Sequence, residues 1–228
     1  MELSKSIKTY MIPDGTISIP DEAFKDFKDL EEITIPDSVT EIGNGAFLGC
    51  TSLKRIVLPP YLRTLGKFAF SNCSDLEEVV FKESTPLHYF DIGVFRYCKN
   101  LKKINIPKNI FSILDYTFFN CKNLETLIIP ENVESLGKMS LSGCGLKSLF
   151  VPKNLSSIGL GALSYMTNLQ TIQVDENNKH YVSDDSLTLI NKNTETIIQY
   201  ALNSKNKQYT IFTYKDQYGE LPGEQPIH

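Results

Sequence analysis

The chain has 228 residues, 41% of them hydrophobic, which is enough to bury a sizeable core. Its 23 basic and 27 acidic side chains give a net charge of −4, so electrostatics offer no case for binding nucleic acid or an anionic membrane. No apolar run approaches the roughly 18–20 residues that span a bilayer, so we expect no direct insertion into a membrane.

Five cysteines recur along the chain at intervals of 23, 25, 23 and 23 residues: Cys50, Cys73, Cys98, Cys121 and Cys144. Disulfide frameworks and zinc sites do not space cysteines in this way. A regular period of this length is instead typical of an internal repeat. Aligned on the cysteines, the chain divides into a half repeat at residues 7–12 and seven repeats over residues 13–174, so that residues 1–174 form one array.

Each repeat contains the same three segments in the same order. The first, L-x-x-I-x-I-P, alternates apolar and polar residues and predicts a short strand with one buried face, ended by its proline. The second, V-x-x-I-G, adds an apolar pair, and the third, A-F-x-x-C, predicts a compact turn. A unit of this length cannot bury its apolar side chains alone, so we expect stacked copies that bury them as continuous ladders beneath one long parallel sheet.

The full pattern resembles the BspA-like leucine-rich repeats, and it is most complete in LEEITIPDSVTEIGNGAFLGC (Leu30–Cys50). The resemblance covers residues 7–174 and implies an α/β repeat fold: a right-handed leucine-rich-repeat solenoid, rich in β-structure, with short helical turns and one long parallel β-sheet. It also implies a surface protein of a bacterium or of a parasitic or commensal protist, since some members bind host matrix proteins or other cells. No catalytic residues and no cofactor come with the resemblance.

The segment after the array, residues 175–211, is similar to the interruption that is usual in this family. Leu187–Ile190 and Thr196–Tyr200 read as the strands of a hairpin around the polar turn Asn191–Thr194, which we predict to be a C-terminal cap. Residues 212–228 depart from the pattern and are predicted to form a loose tail.

Two repeated residue types could suggest a chemical site, but the repeat explains both. In leucine-rich repeats the cysteine position points inward, and Phe27 and Met166 occupy it in the end repeats, so an apolar group suffices there. We therefore predict five buried, reduced thiols and no bound metal. Glycines at one repeat position are interpreted as backbone bends and not as a phosphate-binding loop: Gly43, Gly66, Gly93, Gly137 and Gly159.

Side chains between the buried positions of each first segment should form columns across the sheet surface. The column after the leading leucine alternates in charge at every position from Lys8 to Lys147. The next column alternates through Arg55, Glu78 and Lys103. Opposite charges in adjacent strands attract each other and also fix the register. We interpret both columns mainly as a scaffold that pairs with itself.

The third column is apolar at several positions that should face solvent. One interpretation is β-propensity on a sheet surface, and the other is a protein-contact stripe flanked by charged pairs. Phe150 is the best single anchor, because aromatic side chains are enriched in binding hot spots. The candidate partner-binding residues are Val57, Val80, Asn105, Ile128 and Phe150 of this column, with the flanking Arg55 and Lys103.

Two functions remain open, and neither is enzymatic. The first is a protein–protein interaction module of cell-surface or adhesion type, whose partner would be a host or matrix protein. The alternative is an intracellular scaffold, or a subunit of a complex, that uses the same solenoid. The start MELSKSIKTYMIPDG lacks the basic-then-apolar pattern of a signal peptide, which favours the cytoplasm if the chain is complete, whereas the resemblance favours the cell surface.

Overall fold

The repeats wind into a solenoid of about seven turns, which confirms the predicted solenoid fold. The computed structural model describes residues 4–83, 85–184 and 188–201. Each turn of the solenoid, here called a coil, contains the three segments of one repeat. Stacked coils therefore present three side faces, one for each segment.

The first segment forms strands on one side of the solenoid, here called the first face. The strands pair in parallel, with Arg55 opposite Glu78 and Glu78 opposite Lys103. They are β1 (Thr9–Met11), β3 (Glu32–Thr34), β5 (Arg55–Leu58), β7 (Glu78–Phe81), β9 (Lys103–Ile104), β12 (Ser148–Val151) and β14 (Thr171–Val174). The ladder is interrupted after β3 and after β9, so it consists of three short sheets.

The second segment also forms strands, and these build a parallel ladder on a second face. They are β2 (Ser18–Ile19), β4 (Glu41–Ile42), β6 (Thr64–Leu65), β8 (Tyr89–Phe90), β10 (Ser112–Ile113), β11 (Ser135–Leu136) and β13 (Ser157–Ile158). This ladder is interrupted between β6 and β8, where the spacing between Cys73 and Cys98 is 25 residues instead of 23. The prediction of one long sheet is therefore wrong, since several short sheets lie on two faces. The second face was not predicted because a two-residue strand is too short to leave an alternating pattern in the sequence.

The third segment forms the turn face, and it is not helical. Two residues four apart in each turn have a left-handed backbone, as do Gly93 at φ 62° and Tyr97 at φ 60°. The pairs are Glu22 and Asp26, Gly45 and Gly49, Phe68 and Asn72, Gly93 and Tyr97, Tyr116 and Asn120, Met139 and Gly143, and Gly161 and Tyr165. A left-handed residue cannot continue a right-handed helix, so the predicted helical turns are wrong, and no helix occurs in residues 4–83, 85–184 and 188–201. The backbone instead bonds to the next coil, as from Phe47 N–H to the Ala69 carbonyl at 2.8 Å.

Ladders of apolar side chains fill the interior between the three faces. The leading leucine is fully buried in seven successive coils: Leu30, Leu53, Leu76, Leu101, Leu124, Leu146 and Leu169. Phenylalanines of the third segment stack beside it, and the rings of Phe47 and Phe70 lie 4.9 Å apart with an interplanar angle of 4°. Each fully buried side chain of this size contributes roughly 1.5–3 kcal/mol. Because every ladder passes from coil to coil, each coil depends on its neighbours for burial.

Glycines of the second segment allow successive coils to approach closely. A Cβ on Gly66 would lie 2.7 Å from the backbone nitrogen of Asn44 in the preceding coil. The same crowding is found at Gly43, Gly137 and Gly159. These glycines are therefore required for close packing of the coils. The interpretation from the sequence, that they form backbone bends, is wrong for them. Gly93 does not belong with them, because it lies in the turn at a positive φ of 62°.

Three antiparallel strands follow the last coil: β15 (Tyr181–Asp184), β16 (Thr188–Asn191) and β17 (Thr196–Tyr200). β15 and β16 pack against β14, and β16 and β17 form a hairpin in the segment where one was predicted. The predicted loose tail at residues 212–228, together with residues 202–211, lies outside the described residues.

Candidate interaction faces

Charged side chains of neighbouring coils pair across the first face, as their alternation predicts. Four ion pairs join Lys8 to Glu31 at 2.9 Å, Arg55 to Glu78 at 2.7 Å, Lys102 to Glu77 at 3.0 Å and Lys147 to Glu125 at 2.5 Å. The hydrogen bond between Lys8 and Glu31 raises the pKa of Lys8 and lowers the pKa of Glu31. Charges that already have partners in neighbouring coils are poor candidates for holding a ligand.

Lys103 differs from its neighbours in the same column. It lies opposite Glu78 in the strand register, but the Glu78 carboxylate is bound by Arg55 on the other side. Lys103 is exposed and makes no ion pair with any residue in the described ranges. Of the two flanking cations that the sequence singled out, Arg55 is therefore occupied and Lys103 can accept a new partner.

The candidate apolar residues separate into two groups on the first face. Val57 lies opposite Val80 in adjacent strands, and both side chains are half-buried. Ile128 and Phe150 lie in two later, neighbouring coils, with 86% and 46% of their surfaces exposed. Ile128 falls in the coil where the first-face ladder is interrupted, between β9 and β12. Ile128 and Phe150 therefore form the more exposed apolar surface of the two groups.

Asn105 lies between these two groups and has a structural role. Its side-chain oxygen accepts the backbone N–H of Phe81 at 2.9 Å, and its side-chain nitrogen donates to the Phe81 carbonyl, also at 2.9 Å. The amide thus replaces a strand neighbour for the end of β7. Both of its polar atoms are engaged, so it is the weakest of the candidate contact residues.

The turn face holds a cluster that the repeat pattern did not predict. The Arg96 guanidinium lies 4.9 Å from the ring centroid of Tyr97, 5.6 Å from that of Tyr116 and 5.7 Å from that of Phe119. The Tyr97 and Phe119 rings meet edge to face at 5.4 Å. These four residues are here called the Arg96 cluster. A signal for it existed, because Gly49 and Gly143 occupy the repeat position of Tyr97.

The five cysteines form an internal ladder, and their burial is confirmed. Each thiol donates to the carbonyl of a residue in the preceding coil at 3.1–3.2 Å: Phe24, Phe47, Phe70, Phe95 and Phe118. Burial raises the pKa of Cys50 and of Cys144 to about 12, and it raises the pKa of Cys73, Cys98 and Cys121 as well. The reactive form of cysteine is the thiolate, so these side chains are structural at neutral pH.

Other kinds of site receive no support from the geometry. Within residues 4–83, 85–184 and 188–201, no group of three or more His, Cys, Asp or Glu side chains could hold a metal ion. In the same ranges, no helix has the length and apolar character needed to cross a bilayer. His88 is exposed and stacks on Phe111 with ring centroids 5.7 Å apart.

The two ladders, the turn face and the leucine core define a leucine-rich-repeat solenoid. Proteins built from such repeats are typically interaction modules without enzymatic activity. The sequence model of the family described as BspA type leucine rich repeat region matches the chain in six copies, over residues 2–113 and 88–215. The chain therefore belongs to this family.

Two solved structures are similar to the chain along most of its length. A leucine rich cell surface protein from Faecalibacterium prausnitzii is 29% identical over 82% of the chain, with a TM-score of 0.74. A leucine-rich repeat protein from Bacteroides ovatus is 30% identical over 76% of the chain, with a TM-score of 0.62. The chain spans about half the length of each, 52% and 51%. No curated protein matches the chain.

Proposed function

We propose that the chain is a non-catalytic protein-interaction module of the cell-surface type, which binds a partner protein through its first face. The family and the similarity to a leucine rich cell surface protein support the class of function. The observation that carries the choice of face is the exposed apolar pair Ile128 and Phe150 in neighbouring coils.

The surroundings of this pair fit the usual anatomy of a protein interface. Glu125 and Lys147 form an ion pair 2.5 Å in length, and they lie in the same two coils as Ile128 and Phe150. Interfaces commonly combine an apolar centre with a polar rim. Here Glu125 and Lys147 neutralise each other at the rim. A partner that covers Ile128 and Phe150 would therefore bury a paired charge, which avoids the cost of an unpaired one.

Val57, Val80 and Lys103 extend the proposed contact along the first face. The two valines lie side by side in β5 and β7, and Lys103 in β9 follows in the next coil. A carboxylate of the partner would pair with Lys103 without competing against an existing ion pair. Arg55 and Asn105 would border the contact without carrying it, because both are engaged within the solenoid.

The test compares two phenylalanines of equal exposure on different faces. Phe150 on the first face is 46% exposed, and Phe111 beside the second-face strand β10 is 45% exposed. Binding of the purified chain to immobilised host matrix proteins and to host cells is measured for the native chain and for the Ile128→Ala, Phe150→Ala and Phe111→Ala variants. We expect the first two to weaken binding about tenfold or more, as hot-spot truncation does, and Phe111→Ala to leave it unchanged. Equal binding by all three variants would show that the first face is not the contact.

The alternative of an intracellular scaffold is favoured by one observation. All five cysteines are unpaired, which is typical of proteins in a reducing compartment. Antibody labelling of intact cells of the source organism, before and after mild surface proteolysis, separates the two locations. Labelling that proteolysis removes supports the surface module, and labelling that requires permeabilised cells supports the scaffold.

A further inference from the structure

Tyr97 and Tyr116 occupy turn positions where the solenoid has no need of a large side chain. The position of Tyr97 holds glycine at Gly49 and Gly143 in other coils, and the position of Tyr116 holds glycine at Gly45. Both tyrosines have left-handed backbones, with φ of 60° and 58°. This conformation is unfavourable for a residue with a bulky side chain. The turn itself therefore does not require an aromatic residue at either position, although Phe68 and Tyr165 also occur there in other coils, and an unfavourable backbone conformation is a reason to look for a function.

The two tyrosines lie together with an arginine in the Arg96 cluster. The guanidinium lies over the Tyr97 ring and beside the Tyr116 and Phe119 rings, at 4.9–5.7 Å from their centroids. The rings also contact one another, with Tyr116 and Phe119 centroids 5.8 Å apart. All four side chains are half-buried, so they form a defined surface and not a set of free side chains.

The guanidinium of Arg96 has hydrogen-bonding capacity that the solenoid does not use. Its Nε is buried and has no hydrogen-bond partner, and Arg96 makes no ion pair with the described residues. The two terminal nitrogens make no hydrogen bond within the described residues and are not among the buried unpaired atoms, so they keep some contact with solvent. A planar guanidinium with two accessible donors matches a carboxylate in a bidentate pair, and stacking on rings keeps it in place.

The two turns that hold the cluster carry a small excess of positive charge, although the whole chain has a net charge of −4. Residues 91–99 and 114–122 contain three basic side chains, Arg96, Lys99 and Lys122, and two acidic ones, Asp91 and Asp115. The Asp115 carboxylate already accepts the backbone N–H of Lys138 at 2.7 Å. Lys99 and Lys122 follow the turn in the two coils of the cluster, both exposed and without an ion pair in the described part of the chain. The field here attracts a negatively charged partner.

We infer that the Arg96 cluster is a docking site for an acidic segment of a partner protein. A carboxylate of that segment pairs with the terminal nitrogens of Arg96, and a neighbouring aromatic or apolar side chain lies against the rings. A polypeptide is favoured over a sulfated polysaccharide, because the neighbours of the arginine are rings and not a row of further cations. The site lies on the turn face, so it is separate from the first-face contact proposed above and does not depend on it.

Three labelled peptides test the chemistry of the site by fluorescence anisotropy with the full chain. The first alternates glutamate and tyrosine, the second replaces glutamate with glutamine, and the third replaces tyrosine with serine. We expect the glutamate–tyrosine peptide to bind at least about tenfold more tightly than either of the others, since only it supplies both a carboxylate and a ring.

The matched variant is Arg96→Ser with Tyr97→Asn, which recreates the Ser71-Asn72-Cys73 sequence of a neighbouring coil. Because that sequence already folds in this turn, the variant should keep its circular dichroism spectrum; if it does not, Tyr97→Asn alone is used. Arg63→Ser is the charge-matched control, since Arg63 is an exposed arginine on the second face. We expect the double variant to lose about tenfold or more in affinity for the glutamate–tyrosine peptide, and Arg63→Ser to stay within about twofold.

Several outcomes would overturn the inference. They are no saturable binding of the glutamate–tyrosine peptide, equal binding of the serine-containing peptide, or an equal effect of the double variant and the control. Cluster-dependent binding of a heparin oligosaccharide in place of the peptide would identify a glycan site instead. The Phe150→Ala variant should bind the peptide normally, so failure of the first-face proposal and failure of this one can be told apart.

Discussion

The side-chain nitrogen of Asn178 donates hydrogen bonds to the carbonyl oxygens of Pro152, at 2.7 Å, and of Leu155, at 3.0 Å. The oxygen of the same amide accepts the backbone N–H groups of His180 and Tyr181, both at 2.8 Å. Asn178 is only 1% exposed, so water cannot replace these bonds. One amide thus connects the last coil to the first strand of the antiparallel sheet that follows it.

Removing this amide should loosen the connection. The Asn178→Ala variant leaves buried carbonyl and N–H groups without partners, and each such group costs roughly 1–3 kcal/mol. We expect the free energy of unfolding in urea to fall by at least about 4 kcal/mol, since four backbone groups lose their partner. Asn177→Ala is the control, because Asn177 is exposed and, among the described residues, its side chain bonds only to Asp175. A similar loss in both variants would mean that the amide is not the connecting group.

The thiol ladder should make stability depend on alkaline pH. Burial raises the pKa of the Cys144 thiol to about 12 in the folded protein, whereas a thiol in an unfolded chain ionises at about 8.5. The unfolded state therefore releases the proton first, so this stabilisation is complete below about pH 8.5 and is lost as the pH rises toward 12. We expect the native chain to lose more stability between pH 8 and pH 10 than Cys144→Ala does, by about 1.4 kcal/mol per pH unit above the unfolded pKa. Parallel urea titrations would contradict this if the two slopes were equal.

The close approach of coils at Gly66 should not tolerate even one added carbon. In Gly66→Ala the Cβ would lie 2.7 Å from the backbone nitrogen of Asn44, and a backbone atom cannot rotate away. We expect a loss of roughly 3 kcal/mol in the free energy of unfolding. Gly15→Ala separates this effect from backbone strain, because a Cβ there meets no atom within 4 Å although φ is +84°. That control should lose only about 1–2 kcal/mol, and the reverse ranking would refute the packing explanation.

The ion pair between Arg55 and Glu78 should contribute little to stability despite its length of 2.7 Å. Both side chains are substantially exposed, and exposed pairs typically contribute less than about 1 kcal/mol. We expect Glu78→Gln to lower the free energy of unfolding by less than about 1 kcal/mol and to have still less effect in high salt. A larger loss that persists in high salt would show that Glu78 does more than pair with Arg55.

The parts of the fold that follow from side-chain burial were predictable. The leucine and cysteine ladders, the first-face strands and the pairing of Lys8 with Glu31 all follow from which positions repeat and which alternate. The second-face ladder was not predictable from alternation, because strands such as Glu41–Ile42 contain only two residues.

The turn face was mispredicted because its backbone conformation depends on residues that give a weak signal. Gly45 and Gly49, four residues apart, are compatible with left-handed turns, but the same positions hold Glu22 and Asp26 in another coil. The Arg96 cluster was missed for a related reason: a side chain at a left-handed position reaches sideways toward the next coil. That direction is apparent only once the backbone is known, so the cluster could not be assembled from the repeat pattern alone.

The interruptions of the two ladders fall at different levels along the solenoid. The first-face ladder breaks after β3 and after β9, and the second-face ladder breaks between β6 and β8. Between any two coils where the strands of one ladder do not pair, the strands of the other ladder do. No plane across the molecule therefore cuts both ladders at a break. A pulling force along the solenoid axis would therefore have to break the strand hydrogen bonds of at least one ladder at every level.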